Sequence, residues 1–482
     1  MAWALLTRNQ AEVEQRIRDH DYDQVLGTGW SGLDDFLVLL QELGVLGQFE
    51  TTGEGYQRRL IPAALLLTTY SLKVVAGLSS MNQLPELLFR DVGLLQRIGF
   101  TVEHLEAGFS RRGQGRMRPV HKNTIADALE RLSPSEVSTL FNGSIAAQSQ
   151  AGCLQDSVFA LDGCELTTTQ RYPGAGTISA QMTRQTKAGP RSSTVTRHGY
   201  LLCSLWSTAA RSVAAATLKP LGSGEVMELL PLVRQAQANL AGKRSQLKTF
   251  LGDGAYCAGA DLWQLKHTLG VDFVVRATTT MHVCADARGL RDRQDELVAR
   301  GERADIAAVG VARLTSYSQY APPADEQRRG PKTTINAVLI TTWAGKAVPP
   351  GQEVILLTSL PVRDPLAIVD LYRRRSWIEN ELHRELKQGW HIERFPKKTD
   401  QACRAHVFLT LLLYNLAHVF QTVRGKTLVE RGIRRLRAER LRSIHQLIVI
   451  AQPYFAILDV EHFAVLSSNP PKHFWRFNLL QS

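Results

Sequence analysis

The sequence predicts an α/β protein: a mixed sheet with flanking helices, interrupted by a β-rich insertion, with helical regions at both ends. Three observations predict it. Residues 1–145 read as mostly helical, with apolar residues at helical spacing. After Ala151, short apolar strand-like runs give way to alternating strands and helices, the pattern of helices packed on a sheet. Between 277 and 358 that rhythm breaks into β-branched runs separated by Gly, Pro and charged turns.

The elements follow in order. Gln10–Asp19, Asp34–Leu43, Leu60–Leu78 and Asn82–Ile98 are expected helices. Ser110–Arg118 is a basic, Gly-rich loop. Ser133-Pro134-Ser135-Glu136 opens another helix, with Ser as N-cap, Pro at the first position and Glu at the third. Ser157–Leu166, Gly199–Ser207 and Ser212–Leu218 are expected strands. Gly224–Leu240 is a helix, Leu247–Leu251 a strand, Ala258–Leu269 a helix and Val271–Arg276 a strand. The insertion contributes strand-like Thr278–Thr280, Val309–Tyr317, Thr333–Thr342 and Val354–Ser359. The pattern is helical from Pro365 to Gln388, and apolar and basic helices are expected on to about Val449.

Composition narrows the function. A chain of 482 residues exceeds one ordinary domain. With 44% hydrophobic and 21% charged residues it is globular, not disordered or fibrous. Its 6 Cys form no Cys-x-x-Cys pair and no zinc-ligand spacing, so reduced thiols are expected rather than a disulfide scaffold. The N-terminus lacks a basic segment followed by a long apolar one, so no signal peptide is expected. The apolar stretches Leu60–Leu78, interrupted by Lys73, and Val407–Phe420, short of the ~20 residues that span a bilayer, read as buried helices. A soluble chain without a membrane partner is therefore expected. The net charge is +12, and from Leu371 to His445 there are 17 Lys+Arg against 7 Asp+Glu. Charge so concentrated suits a polyanion such as nucleic acid, although a solvated helical surface reads the same way.

Three acidic residues stand out by context. Asp162 sits in Phe159-Ala160-Leu161-Asp162-Gly163, at the end of an apolar strand, an expensive place for a charge without a partner. Asp253 follows a second strand and lies between Gly252 and Gly254. Glu379 belongs to the helix 371–388. Two strand-end aspartates and a helix glutamate can converge on divalent metal and support phosphoryl transfer. Each one alone is as well explained by a turn cap or a salt bridge. At about 100° per residue, Tyr372 lies roughly 20° from Glu379, Arg375 roughly 40°, and His383 about 40° on the other side. Tyr, Arg, Glu and His would then share a face, where Arg can grip a phosphate bidentately. A plain i,i+4 pair of Arg375 with Glu379 is the alternative.

With these residues the sequence resembles the DDE transposases of bacterial insertion sequences. Asp162 in FALDG, Asp253 in LGDGAY and Glu379 in YRRRSWIENELHRELKQGW look like their triad. The branch resembled is the insertion-sequence-four type, which has a β-rich insertion before the glutamate and a Tyr-x2-Arg-x3-Glu-x6-Lys signature. Tyr372, Arg375 and Glu379 match that signature in identity and spacing. The lysine departs from it: position 386 is Leu386, and Lys387 follows one residue late. The resemblance covers roughly 60–480.

The resemblance implies an RNase H-like core, with three antiparallel strands followed by parallel strands and helices. It implies Mg²⁺, with Mn²⁺ as a possible substitute, held by Asp162, Asp253 and Glu379, two ions being expected with DNA bound. The implied reaction is hydrolysis at the element's ends followed by attack of the freed 3′-hydroxyl on target DNA. The implied partner is double-stranded DNA, as terminal inverted repeats and as target, in a nucleoid-associated, cytoplasmic prokaryotic setting with a dimer in the DNA complex. Expected regions are a helical, DNA-end-contacting 1–150, a first core part 151–276, the insertion 277–358, a second core part 359–424 carrying Glu379, and a basic helical 425–482.

Candidate phosphate contacts are Tyr372, Arg375, His383, Lys387, Lys397 and Lys398. Arg276 could contact phosphate or merely cap its strand. Trp343 could stack on an unpaired base or be an ordinary surface Trp. The loop with Arg111, Arg112, Arg116 and Arg118, and the run Arg431, Arg434, Arg435, Arg437, Arg440 and Arg442, add further basic candidates. Two other readings stay open: a DNA-binding remnant without catalysis, and a hydrolase using two carboxylates without DNA.

Overall fold

The structure is a computed structural model that describes residues 5–52, 61–109, 119–186, 189–241, 246–322, 333–424 and 446–467. The chain divides into two compact units, one of residues 1–147, 171–173 and 385–482, the other of 148–170 and 174–384.

The first unit is mainly helical. Gln10–Arg18, Ser31–Glu42 and Ala63–Val75 form where apolar spacing predicts them, and Lys122–Arg131 is a further helix. The predicted cap at Ser133 is present. Its Oγ accepts from the Glu136 backbone N–H at 3.2 Å, and Glu136 Oε2 accepts from the Ser133 N–H at 2.8 Å. The stretch 82–98 is broken rather than one helix. A turn at Met81–Gln83 leads into Leu84–Leu87, and a new helix, Val92–Arg97, starts where Asp91 Oδ1 accepts from the Leu94 N–H. Asp400–Arg424 is longer than the apolar run suggested. By length and composition alone it could cross a membrane, but 83% of its apolar window is buried in the fold, as in a core helix.

Helix up to Val449 is not what the structure shows. Gln446–Ala451 and Tyr454–Asp459 are antiparallel strands. Gln24–Thr28 and Thr7–Arg8 flank them in a four-stranded sheet that joins the two ends of the chain. Both faces are covered. Leu447, Val449 and Ala451 pack with Val13, Ile17 and Phe463, while Ile448 and Ile450 pack with Phe455 and Ile457. A strand buried on both sides is a continuous apolar run, which periodicity alone does not separate from a helix.

The second unit is built on an eleven-stranded mixed sheet. Val158–Thr168 pairs antiparallel with Gly189–Ser207, which pairs antiparallel with Val213–Pro220. On its other side Val158–Thr168 runs parallel to Thr249–Gly252, and that strand parallel to Asp272–Arg276. Three antiparallel strands followed by two parallel ones is the order the RNase H-like resemblance implies. The helices Leu229–Asn239 and Gly259–His267 connect the later strands.

The strands between 298 and 358 form no separate sheet. Val354–Thr358 joins the edge at Asp272–Arg276, and Ile335–Trp343, Ile306–Leu314 and Val298–Arg303 continue it antiparallel. Thr278–Thr280 is not a strand but the turn before the helix His282–Leu290. Gly176–Thr186, which pairs with the first half of Gly189–Ser207, is strand where none is predicted. Its described side chains, 176–181 and 183, are exposed or half-buried and mostly polar, so no buried face marks it in the sequence.

Candidate active site

All three acidic candidates lie in the second unit. Asp162 sits on Val158–Thr168, opposite Ser204, and six more residues of strand follow it. It is thus mid-strand, not at a strand end. The unbroken apolar run stops at Asp162, but hydrogen bonding to Gly189–Ser207 carries the strand on to Thr168, with Cys164 and Leu166 buried. Asp253 follows Thr249–Gly252 and starts the turn Gly254–Tyr256, its Oδ1 accepting from the Ala255 N–H at 2.9 Å. Gly252 is required by the unit's own packing, since a Cβ there would meet the Phe250 ring at 2.7 Å.

Glu379 stands on a segment that is not a regular α-helix. The helix Pro365–Arg373 tightens into a 3-10 turn at Arg374–Ser376, widens into a π turn over Ile378–His383 and resumes as Arg384–Gln388. The angles worked above for a uniform helix therefore do not hold through it. A π turn accommodates one extra residue, and such turns concentrate at functional sites. One residue is also the amount by which Lys387 is displaced from the signature spacing.

Arg375 gathers the three carboxylates. Its Nη2 lies 3.4 Å from Asp162 Oδ1 and 3.4 Å from Asp253 Oδ2, while Nη1 meets Glu379 Oε1 at 2.5 Å. The Arg375–Glu379 i,i+4 pair is therefore real, but it is one arm of a larger cluster. The guanidinium is only 16% exposed. Burial works against its charge, and Asp162, Glu379 and Asp253 more than offset that, so its pKa is raised. Burial pushes the Asp162 carboxyl up to about 7. Arg375 draws it down, and Glu225 and Glu379 push it further up.

Glu225 is the acidic residue that the sequence does not reveal. A Cβ on Gly163 would meet its Oε2 at 2.0 Å, so Gly163 makes room for this carboxylate. Burial raises its pKa, and the charge of Asp253 raises it further. The available signal was Asp162-Gly163 itself: a glycine in mid-strand marks a close approach, and here the approaching group is a carboxylate.

Among the described residues, no three His, Cys, Asp or Glu side chains stand together as a group ready to hold a metal ion. Arg375 takes the cationic place between the carboxylates. The donor chemistry nonetheless fits a hard divalent cation, which takes carboxylate oxygens. The residues suited to hold it are Asp162, Asp253 and Glu379.

The other candidates are dispersed. His383 Nδ1 lies 3.9 Å from Asp162 Oδ2, so His383 does reach the cluster. Tyr372 is part-buried within the fields of Arg375 and Arg276, and burial raises its hydroxyl pKa. Arg276 is exposed at the end of its strand, paired in register with Leu356. Trp343 is 45% exposed, with the Arg373 guanidinium 5.5 Å from its ring centre. In the first unit, Lys387 pairs with Glu393 at 3.6 Å. Lys397 is bound by Asp127 and Glu130, and Lys398 is exposed. The basic loop 110–118 and the arginine run 431–442 lie outside the described residues.

Residues 154–416, more than half of the chain, match the family model for the transposase DDE domain. The chain belongs to this family. It is a DDE transposase, and the three carboxylates and Arg375 all fall within the matched residues. A solved structure, the piggyBac transposase synaptic complex with hairpin DNA, is similar over 92% of this chain and 84% of that one, at 10% identity and a TM-score of 0.41. No curated protein matches the chain.

Proposed function

We propose that this transposase is of the insertion-sequence-four type, cuts DNA at the ends of its own element and joins the freed 3′-hydroxyl to target DNA. Asp162, Asp253 and Glu379 are the proposed ligands of Mg²⁺, or of Mn²⁺ in its place. The observation that carries this is the convergence of these three carboxylates on Arg375. Bound there, a divalent cation supplies Lewis-acid activation of the attacking oxygen and stabilises charge on the leaving one.

The chain's own groups do the rest. Arg375 presents a planar fork that pairs with phosphate as readily as with carboxylate. On binding DNA it moves its charge from the carboxylates to a phosphate, which frees the carboxylates for the cation. Asp162 must lose its proton to bind a cation, so its raised pKa couples loading to pH. Tyr372 donates its hydroxyl to a phosphate oxygen. His383 holds Asp162 in place from the far side. Lys387 and Lys398 contact the backbone, and two copies of the chain hold two ends.

The test is incubation of a linear duplex carrying the element's end with the wild type and Glu379→Gln, in Mg²⁺ and in EDTA. Metal-dependent cutting that exposes a 3′-hydroxyl at the element boundary, absent in the variant, is expected. Binding without cutting by the wild type would favour the remnant. Absence of salt-dependent DNA binding would sink the proposal.

A further inference from the structure

The first unit contains a second site, unrelated to the carboxylates. Lys73 is the one charged residue of the helix Ala63–Val75 and is 2% exposed. An ammonium in such a place costs stability unless something pairs with it. Among the described residues its Nζ makes no hydrogen bond and no ion pair. Its aromatic neighbour is Tyr70, with the ring centre 5.6 Å away. His406 offers no counter-charge. It is fully buried, bonded through Nδ1 to the Tyr70 hydroxyl at 2.7 Å and through Nε2 to the Ile392 carbonyl at 3.0 Å. Burial, and then the Lys73 charge, keep it neutral. Burial lowers the Lys73 pKa to about 8, so the group stays cationic at neutral pH.

Lys73 reaches the wall of a cavity of about 520 Å³, a size typical of small-ligand sites. Lys122 and Arg394 line the same cavity. Lys122 donates to Asn82 Oδ1, a neutral acceptor. Among the described residues the one carboxylate in the wall is Glu393, which is paired with Lys387. Tyr172 and Phe395 complete the wall, their ring centres 5.7 Å apart. Three cations, one committed carboxylate and an aromatic pair are what a phosphate carrying a base or sugar would meet.

We infer that this cavity binds a nucleotide phosphate, with Lys73 as its buried cation, Lys122 and Arg394 beside it, and Tyr172 and Phe395 against the attached nucleoside. The phosphate can come from the DNA backbone or from a free nucleotide. The DNA source rests on the proposed function; the phosphate chemistry does not.

The test uses the full chain as wild type, Lys73→Met and Lys122→Gln. Thermal midpoints are read in inorganic phosphate and in AMP against chloride of equal ionic strength. Duplex DNA affinity is read against salt. If the source is DNA, each variant lowers the slope of log affinity on log salt by about 1. If the source is free nucleotide, phosphate and AMP raise the wild-type midpoint, both variants lose that rise, and the DNA slopes stay equal. Equal midpoint shifts and equal slopes in all three proteins would overturn the inference. Should Lys73→Met fail to fold, Lys122→Gln decides alone. Strand cutting is not read, so a wild type that fails to cut would sink the proposed function and leave this result standing.

Discussion

Asp162→Asn should make the protein more stable while abolishing its chemistry. The Asp162 carboxyl is pushed from 3.8 up to about 7, first by burial. A raised folded-state pKa costs stability as pH climbs from the unfolded value to the folded one, and the cost is complete above it. Below about pH 4 the residue is protonated in both states and contributes nothing. Between there and pH 7 the unfolded chain ionises while the fold keeps its proton. Each pH unit then costs about 1.4 kcal/mol, or about 4 kcal/mol in all. Part of the side chain still touches water, so about 2 to 4 kcal/mol is the expected gain for Asn at pH 8. Asn mimics the protonated carboxyl, so no gain is expected at pH 4. Urea unfolding of both proteins at the two pH values, in EDTA, reads the difference directly. An Asn variant no more stable than wild type at pH 8, or equally stabilised at both, would refute the reasoning.

Arg375→Gln removes the charge that holds the Asp162 pKa down, so the acid limb of the pH profile for Mg²⁺-dependent cutting should move to higher pH. An unmoved limb would count against the cluster. In the first unit, Arg97 and Asp34 form an ion pair at 2.8 Å with side chains 0% and 1% exposed. Arg97→Met takes the closer partner from the buried Asp34 carboxylate, leaving Arg8 at 3.6 Å, and should cost about 3 kcal/mol in urea unfolding at pH 7. Gly163→Ala puts a methyl where Glu225 Oε2 lies. It should leave the thermal midpoint near wild type, because a flexible side chain can move aside. The Mg²⁺ concentration for half-maximal cutting should rise as that negative charge is displaced.

Much of the second unit was legible because its strands alternate with helices and each core strand is a short apolar run. Asp162 and Asp253 were legible because a charge at the end of such a run needs a reason. The hairpin Gly176–Thr186 with the start of Gly189–Ser207 was not, since strands with two wet faces carry no pattern. The strand Gln446–Ala451 was misread for the opposite reason: burial on both faces erases alternation. Glu225 was hidden because nothing local distinguishes it. It enters the site only through the fold, from the turn before Val226, beside Gly163 on the strand Val158–Thr168. The π turn at Ile378–His383 was hidden too, because its residues are ordinary helix formers, and only the late lysine hinted at an extra residue. Lys73 was visible as the one charge in an apolar stretch, but not the cavity that it faces.

The central claim is that Asp162, Asp253 and Glu379 together hold the catalytic cation. The most direct measurement replaces Mg²⁺ with Fe²⁺ in the DNA-bound protein and maps where peroxide then cuts the polypeptide. The account predicts three cuts, close to residues 162, 253 and 379, all suppressed by excess Mg²⁺ and weakened in Glu379→Gln. Cuts elsewhere, or cuts near only one of the three that survive the substitution, would contradict it.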